Sequence, residues 1–296
     1  TINSSSLFHF TPKIGYLKKI VQNGIRFSFS FEKVDPEIIV NQISLPCGDY
    51  DVFKTAVAKN NGVAIPMACF CDIPLLRTND HKKKYGHYAI GLDKELFSYL
   101  YSSIMNPVIY VHSENVKALL KTLSFKKKQV YVDLFKKENI KQLHEEFQKG
   151  NMSQFEPGLD FKFEINNLIG LSKPCSLNNN NKTTYYYDER EWRALWPDNK
   201  SEATNWRWNI SQQEYLNSKD SLNQTLANTE EGHLDLPAWA VNKAITHIIV
   251  SRDKQIDGMI KHIMESKTIF GATVDEKEKL SLISKVTSFE RINKDY

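Results

Sequence analysis

From residue 63 to residue 75 the chain is apolar at every position except Asp72, with Gly62 before the run and Pro74 near its end. A segment without polar alternation has no face to offer water. It therefore predicts a strand covered on both sides, inside a sheet and not at its edge. Pro74 turns the run into a loop, which leaves Asp72 at the mouth of a buried strand. The run is also too short to cross a bilayer as a helix.

Elements of both kinds surround this strand. Residues 7–11 alternate as a short strand that sends Phe8 and Phe10 to one side and His9 with Thr11 to the other. Residues 14–21 then carry apolar side chains at helical spacing until Asn23 and Gly24 stop them. The stretch 25–31 reads as extended, and 35–40 and 49–57 as short helices. A polar, basic loop over 76–86 leads into a strand at 87–92, a helix at 94–103 and a strand at 107–111. Strands and helices recur near the end, at 244–250 and 256–265, followed by an alternating stretch at 267–272.

A hydrophobic share of 41% and a charged share of 25% over 296 residues suit a folded protein, not a fibre or a disordered chain. The pattern predicts one α+β domain over 1–296, with a helical insertion about 113–165 and a polar insertion about 198–235. A formal charge of +4 favours encounters with phosphates without requiring them. Four cysteines, Cys47, Cys69, Cys71 and Cys175, are too few for a disulfide scaffold and fit a reducing compartment. With no leader pattern at residues 1–6 and no apolar span, the expected location is the cytoplasm and no membrane is involved.

Chemistry concentrates at residues 185–196, where charged groups stand among large aromatics. As a strand, this stretch puts Glu189, Glu191 and Arg193 in one row and Arg190, Trp192 and Trp196 in the other. The Tyr185 to Tyr187 run favours a strand, while the residues from Glu191 to Trp196 also suit the opening of a helix. Adjacent strands can bring this acidic row to His9 and Thr11. Breaking a glycosidic bond builds positive charge on a sugar ring, which a nearby carboxylate stabilises while accepting a proton from a hydroxyl. Glu191 fits that demand, His9 can hydrogen-bond a ribose hydroxyl, and Tyr85 or Tyr88 can stack on a cationic base. A lone histidine on a strand is more often structural, so His9 depends on meeting the acids.

Competing uses of the same residues are a metal site from Cys69, Cys71, His81 and His87, and a structural ion-pair cluster of Glu189, Glu191 and Arg193 in an interaction protein. The Cys69-x-Cys71 spacing inside an apolar run reads as core and not as a zinc site, so no metal is expected. Lys82, Lys83 and Lys84, with Lys126, Lys127 and Lys128, read as solvated or phosphate-facing charge. Trp206 and Trp208 anchor the polar insertion or stack on bases.

The chain resembles the AbiGi family of abortive-infection (phage resistance) proteins over about 7–250. The residues that carry this are Phe8-His9-Phe10-Thr11 with Leu17, Ile20, Gly24 and Ser28, then Cys69-Phe70-Cys71-Asp72-Ile73-Pro74-Leu75, His81, Tyr85-Gly86, Ile90-Gly91-Leu92, Asn106-Pro107-Val108-Ile109-Tyr110 and Glu191-Trp192-Arg193. More remotely, a strand-borne His-x-Thr, a helix ending near Gly24 and a late Glu are similar to the ADP-ribosyltransferase fold, including DarT-like toxins that modify DNA. That second resemblance implies a split mixed β-sheet core with helical insertions and transfer of ADP-ribose from NAD, used as a substrate. Its implied roles are Glu191 as catalytic carboxylate, Glu189 as the first Glu of an ExE pair that assists the acceptor, and His9 with Thr11 on the nicotinamide ribose and amide. Tyr85 or Tyr88 would line the nicotinamide pocket, and Phe10, Ser28 and Arg193 would also contact NAD. The basic loop and the tryptophans favour a nucleic-acid acceptor, RNA before DNA and either before protein. As a phage-defence toxin the chain would have a neutralising antitoxin partner. The AbiGi label also carries an antitoxin role, which would make the chain a non-catalytic binding protein.

Overall fold

A computed structural model of the protein describes residues 4–33, 62–111, 170–179, 182–196, 210–229 and 231–294, with 118, 122 and 168 besides. The strands are β1 (Ser6–Thr11), β2 (Ile25–Arg26), β3 (Ser28–Lys33), β4 (Gly62–Cys71), β5 (Tyr88–Asp93), β6 (Met105–Pro107), β7 (Ile109–Val111), β8 (Ser172–Pro174), β9 (Ser176–Asn179), β10 (Lys182–Tyr185), β11 (Glu191–Leu195), β12 (Ile210–Ser211), β13 (His233–Leu234), β14 (Ile245–Val250) and β15 (Val286–Ser288). The helices are α1 (Ile14–Asn23), α2 (Asn79–Tyr85), α3 (Lys94–Leu100), α4 (Gln212–Ala227), α5 (Ala238–Ala244), α6 (Ile256–Glu265), α7 (Glu276–Ile283) and α8 (Phe289–Lys294).

The apolar run becomes β4, and the rest of the main sheet is assembled on it. Nine strands form this sheet in the order β15-β14-β5-β1-β4-β11-β6, with β3 and β12 also paired to β4. Only β14 and β15 run parallel among these ladders, so the sheet is mixed and the architecture α+β. One edge of β4 takes β12 and then β11, from Ile210↔Ala64 to Glu191↔Cys71. The other edge takes β3 as far as Ser28↔Met67 and then meets β1 at the single pair Phe8↔Cys71. Between those two pairs, residues 68–70 have no strand partner on that edge among the described residues. This opening in the sheet borders the cavity in which the candidate site residues gather.

Alternation divides the core. Leu7, Ile90 and Ile248 point into a large cluster with Leu17, Val21 and Phe97, while Phe8, Ala89 and Ile249 point into a smaller one with Cys71, Ile73 and Phe289. Each large side chain so buried contributes ~1.5–3 kcal/mol relative to exposure. Helix α1 buries Leu17, Ile20 and Val21 on one stripe and ends at Gly24, whose N–H donates to the Ile20 carbonyl. At φ 86°, a Cβ on Gly24 would lie 2.3 Å from the Leu234 carbonyl oxygen, so only glycine turns the chain there.

Several expectations are corrected. The basic loop at 76–86 is a 3-10 turn, Leu75–Arg77, followed by α2. A helix of seven residues whose single large apolar side chain is Tyr85 has no apolar period to announce it. The strand at 107–111 is two, β6 in the main sheet and β7 paired with β8. The alternating stretch at 267–272 holds the isolated bridge Ile269↔Ala272, with Phe270 at φ 51°. Within the polar insertion about 198–235, β12 joins β4 and α4 packs on β3, burying Leu226. The expected helices at 35–40 and 49–57, most of the insertion about 113–165, and Trp206 with Trp208 lie outside the described residues.

Candidate functional site at the opening in the sheet

The stretch 185–196 is not one strand. Tyr185 ends β10, Tyr187–Glu189 forms a 3-10 turn, and Arg190 takes a left-handed conformation (φ 44°, ψ 50°) before β11 begins at Glu191. That left-handed residue is pinned by the Asp72 N–H, which donates to its carbonyl at 3.0 Å. Asp72, at the end of β4, thus helps fix the turn that presents both acids. The Glu191 N–H donates to the Tyr110 hydroxyl at 2.8 Å.

Lys173, on β8, joins the acids: its Nζ donates to Glu189 Oε2 and Glu191 Oε2, each at 2.7 Å. Lys84, at the end of α2, donates to Glu189 Oε1. Arg193 is fully buried and donates from Nε to Glu191 Oε1 at 2.8 Å and from a terminal nitrogen to the Gly170 carbonyl at 2.6 Å. Its other terminal nitrogen lies 3.0 Å from Glu32 Oε2 on β3. Burial alone would raise the Glu191 carboxyl, but Arg193 and then Lys173 outweigh it and hold its pKa at about 2. Burial likewise opposes ionisation of Glu189, which Lys173 and Lys84 hold below its ordinary value. Both acids are therefore charged at neutral pH. Such a cluster is costly to desolvate, and removing one partner from it costs ~3–5 kcal/mol.

His9 faces the same space from β1. Its Nδ1 lies 2.8 Å from the carbonyl oxygen of Cys69, on the unpaired edge of β4, and its ring is 5.7 Å from that of Phe70. A carbonyl only accepts, so Nδ1 carries the proton. Burial lowers the pKa of His9, partly offset by that bond, so Nε2 is left as an acceptor. A cavity of about 260 Å³ is lined by His9, Phe10, Ser28, Tyr85, Glu189 and Glu191 together with Lys173 and Arg26. The histidine and the acids, far apart in sequence, thus share one wall.

Three of the expected residues, Arg193, Thr11 and Tyr88, do not line this cavity. Arg193 has no exposed surface and is engaged by Glu191, Glu32 and the Gly170 carbonyl, an arrangement that holds Glu191 in place. Thr11 is buried opposite Tyr88 in the β1–β5 ladder and is not among the lining residues. Tyr88 lies away from the cavity, with its hydroxyl accepting from Gln255 Nε2 at 3.0 Å, so Tyr85 is the tyrosine at the site. Among the described residues no three His, Cys, Asp or Glu side chains are grouped to hold a metal ion. Burial and then Glu191 push the Cys69 thiol far up, which leaves it unreactive.

A second cavity of about 770 Å³ lies beyond Tyr85, His81 and Glu189, which line both. Arg77, Lys84, Arg190, Tyr185 and Tyr187 also line it, and the last two are 62% and 64% exposed. His81 Nε2, in the shared wall, is buried with no hydrogen-bond partner among the described residues.

Residues 53–235, more than half of the chain, match the family model described as "Putative abortive phage resistance protein AbiGi, antitoxin". The chain belongs to the AbiGi family. The abortive phage resistance protein AbiGi of Lactococcus lactis subsp. cremoris is 26% identical to it over 250 residues, 78% of this chain and 89% of that relative. No solved structure matches the chain. The AbiGi match contains Tyr85, Lys173, Glu189, Glu191 and Arg193, whereas His9 and Ser28 precede it. Among the described residues no helix is long and apolar enough to cross a membrane.

Sequence pattern gives no sign of Lys173 or Glu32. Lys173 sits in a three-residue strand without a motif, and Glu32 in a β3 run whose pairing partner is fixed only by the fold. His81 stands out in the sequence as a metal-ligand candidate and as one of the residues that carry the AbiGi resemblance, but its place in the wall between two cavities follows from the fold alone.

Proposed function

We propose that this AbiGi-family chain is the toxin of a phage-defence pair and transfers ADP-ribose from NAD to a nucleic acid, RNA before DNA, on an ADP-ribosyltransferase-like split sheet. The observation that carries this is the meeting of His9 and Glu191 in one cavity at the unpaired edge of β4. The cavity's volume of about 260 Å³ falls just below the roughly 300–1,000 Å³ of whole small-molecule sites, so it takes the nicotinamide–ribose end of NAD and not the whole dinucleotide.

In this reading Tyr85 stacks on the cationic nicotinamide ring and His9 Nε2 accepts from a ribose hydroxyl. Glu191, ionised throughout the physiological range, faces the positive charge that develops on the ribose. The glycosidic C–N bond breaks and its electron pair leaves with nicotinamide. A nucleophile of the acceptor bonds to the anomeric carbon and gives its proton to Glu189, which borders both cavities. The second cavity supplies what an unstacked base needs: exposed Tyr185 and Tyr187 for stacking, with Arg77, Lys84 and Arg190 for phosphate.

Incubating the chain with NAD labelled in its adenylate part and with separate RNA, DNA and protein pools tests the reading. Label is expected on RNA, and its appearance on protein alone would sink the nucleic-acid acceptor. A second reading has its own support. The family description says antitoxin, and Glu189 and Glu191 are both engaged by lysines as in a purely structural cluster. A binding protein of that kind would leave NAD intact in every pool.

A further inference from the structure

We propose that a second site, on the side of α2 away from the carboxylate cavity, binds a phosphate group. A cavity of about 740 Å³ opens there between α2, the segment after β14 and α8, and Lys82, Lys83, His87, Arg252, Phe289 and Asn293 are in its wall. Lys82 is only 6% exposed, yet its ammonium meets a neutral amide and an aromatic face. It donates to Asn293 Oδ1 at 3.1 Å and lies 4.9 Å from the centre of the Phe289 ring. Among the described residues no carboxylate pairs with it, whereas Lys173 and Arg193 each have two.

Burial disfavours the charged form of Lys82 and lowers its pKa, a penalty that a bound anion would relieve. The acid in the wall does not do so. Glu290 accepts from the Asp253 N–H at 3.1 Å and pairs with Lys294 at 3.1 Å, and Lys83 has Asp80 at 3.3 Å on the open surface. The wall is thus cationic, and its cations come from separate parts of the chain brought together by the fold. A group with several acceptor oxygens and more than one negative charge matches this better than a single carboxylate. The volume suits a phosphate compound of nucleotide size. The site stands whether or not the neighbouring cavity cleaves NAD.

Calorimetric titration of the full chain with inorganic pyrophosphate, and separately with a single-stranded oligonucleotide, tests the site. Wild type is expected to bind pyrophosphate, and Lys82→Met combined with Arg252→Gln to weaken it by about tenfold or more. Lys82→Arg should keep binding, and Lys261→Gln, a charge removal at an exposed position of α6, should leave it unchanged. Oligonucleotide binding lost in the same double variant would identify a phosphodiester chain as the source, and pyrophosphate binding alone a free phosphate compound. Arg252 is exposed, so Arg252→Gln alone leaves the fold intact and must still weaken binding. Neither probe binding to wild type, or binding undiminished in the double variant, overturns the proposal; the second result would place the anion in another cleft.

Discussion

Lys173 touches Glu189 and Glu191 together and so sets how both titrate. Without its charge, burial acts on the two acids with less opposition, and both pKa values rise. Under the proposed transferase reading, Lys173→Met is expected to move the acid limb of kcat/KM for NAD cleavage to higher pH by roughly one unit. An unmoved limb would leave Arg193 as the sole electrostatic control of Glu191. Stability carries its own signature. The folded pKa of Glu191 is about 2, below the ordinary carboxylate value of ~4.3, so its contribution is complete above that value and is lost as pH falls toward 2. The loss is on the order of 3 kcal/mol. Urea unfolding measured down this range should therefore fall more steeply for wild type than for Glu191→Gln, and parallel curves would contradict the assignment. The sequence offers Glu189, Glu191 and His9 as candidates because each stands in a short pattern that chemistry can use, and the fold brings the three to one cavity. It does not offer Lys173 and Glu32, since their role comes from tertiary approach alone. Tyr85 and Tyr88 looked interchangeable until the turn at Gly86 placed one in the cavity and the other against Gln255.

Helix α2 borders three cavities at once, with His81 and Tyr85 in the wall shared by the carboxylate cavity and its neighbour, Lys84 in that neighbour, and Lys82 toward the cationic site. Its end is fixed by Gly86 at φ 117°, ψ 169°, a conformation reserved to glycine. A Cβ there would lie 2.4 Å from both the Pro12 Cα and the Thr11 carbonyl oxygen. Because those contacts are backbone, Gly86→Ala is expected to cost ~2 kcal/mol or more in chemical denaturation. Gly258, in α6 with nothing within 4 Å of an added Cβ, should behave oppositely, Gly258→Ala gaining ~0.5–1 kcal/mol. Equal effects from the two variants would mean that the α2 turn is not strained. The elements that sequence exposed were those with a local signal: unbroken apolarity for β4, helical spacing for α1 and α6, alternation for β1. The opening beside β4 has no such signal. It arises because β3 stops at Met67 and β1 meets only Cys71, a matter of register between segments distant in the chain.

At the scale of the whole molecule, catalysis and binding differ in how effect depends on dose. An enzyme turning over even once per second converts many substrate molecules in a cell's lifetime, whereas a binding protein acts only in proportion to its copy number. The transferase reading therefore makes growth arrest sensitive to one carboxylate and nearly insensitive to expression level. In a bacterial host lacking any neutralising partner, weak expression of wild type is expected to stop growth and lower cellular NAD. Glu191→Gln, at matched soluble yield, is expected to do neither. Matched yield matters because Glu191 also balances buried Arg193 and Lys173, so a misfolded variant would mimic an inactive one. Should wild type and variant both grow normally with NAD unchanged, the carboxylate cluster serves structure, and the family's antitoxin description becomes the better account of this chain.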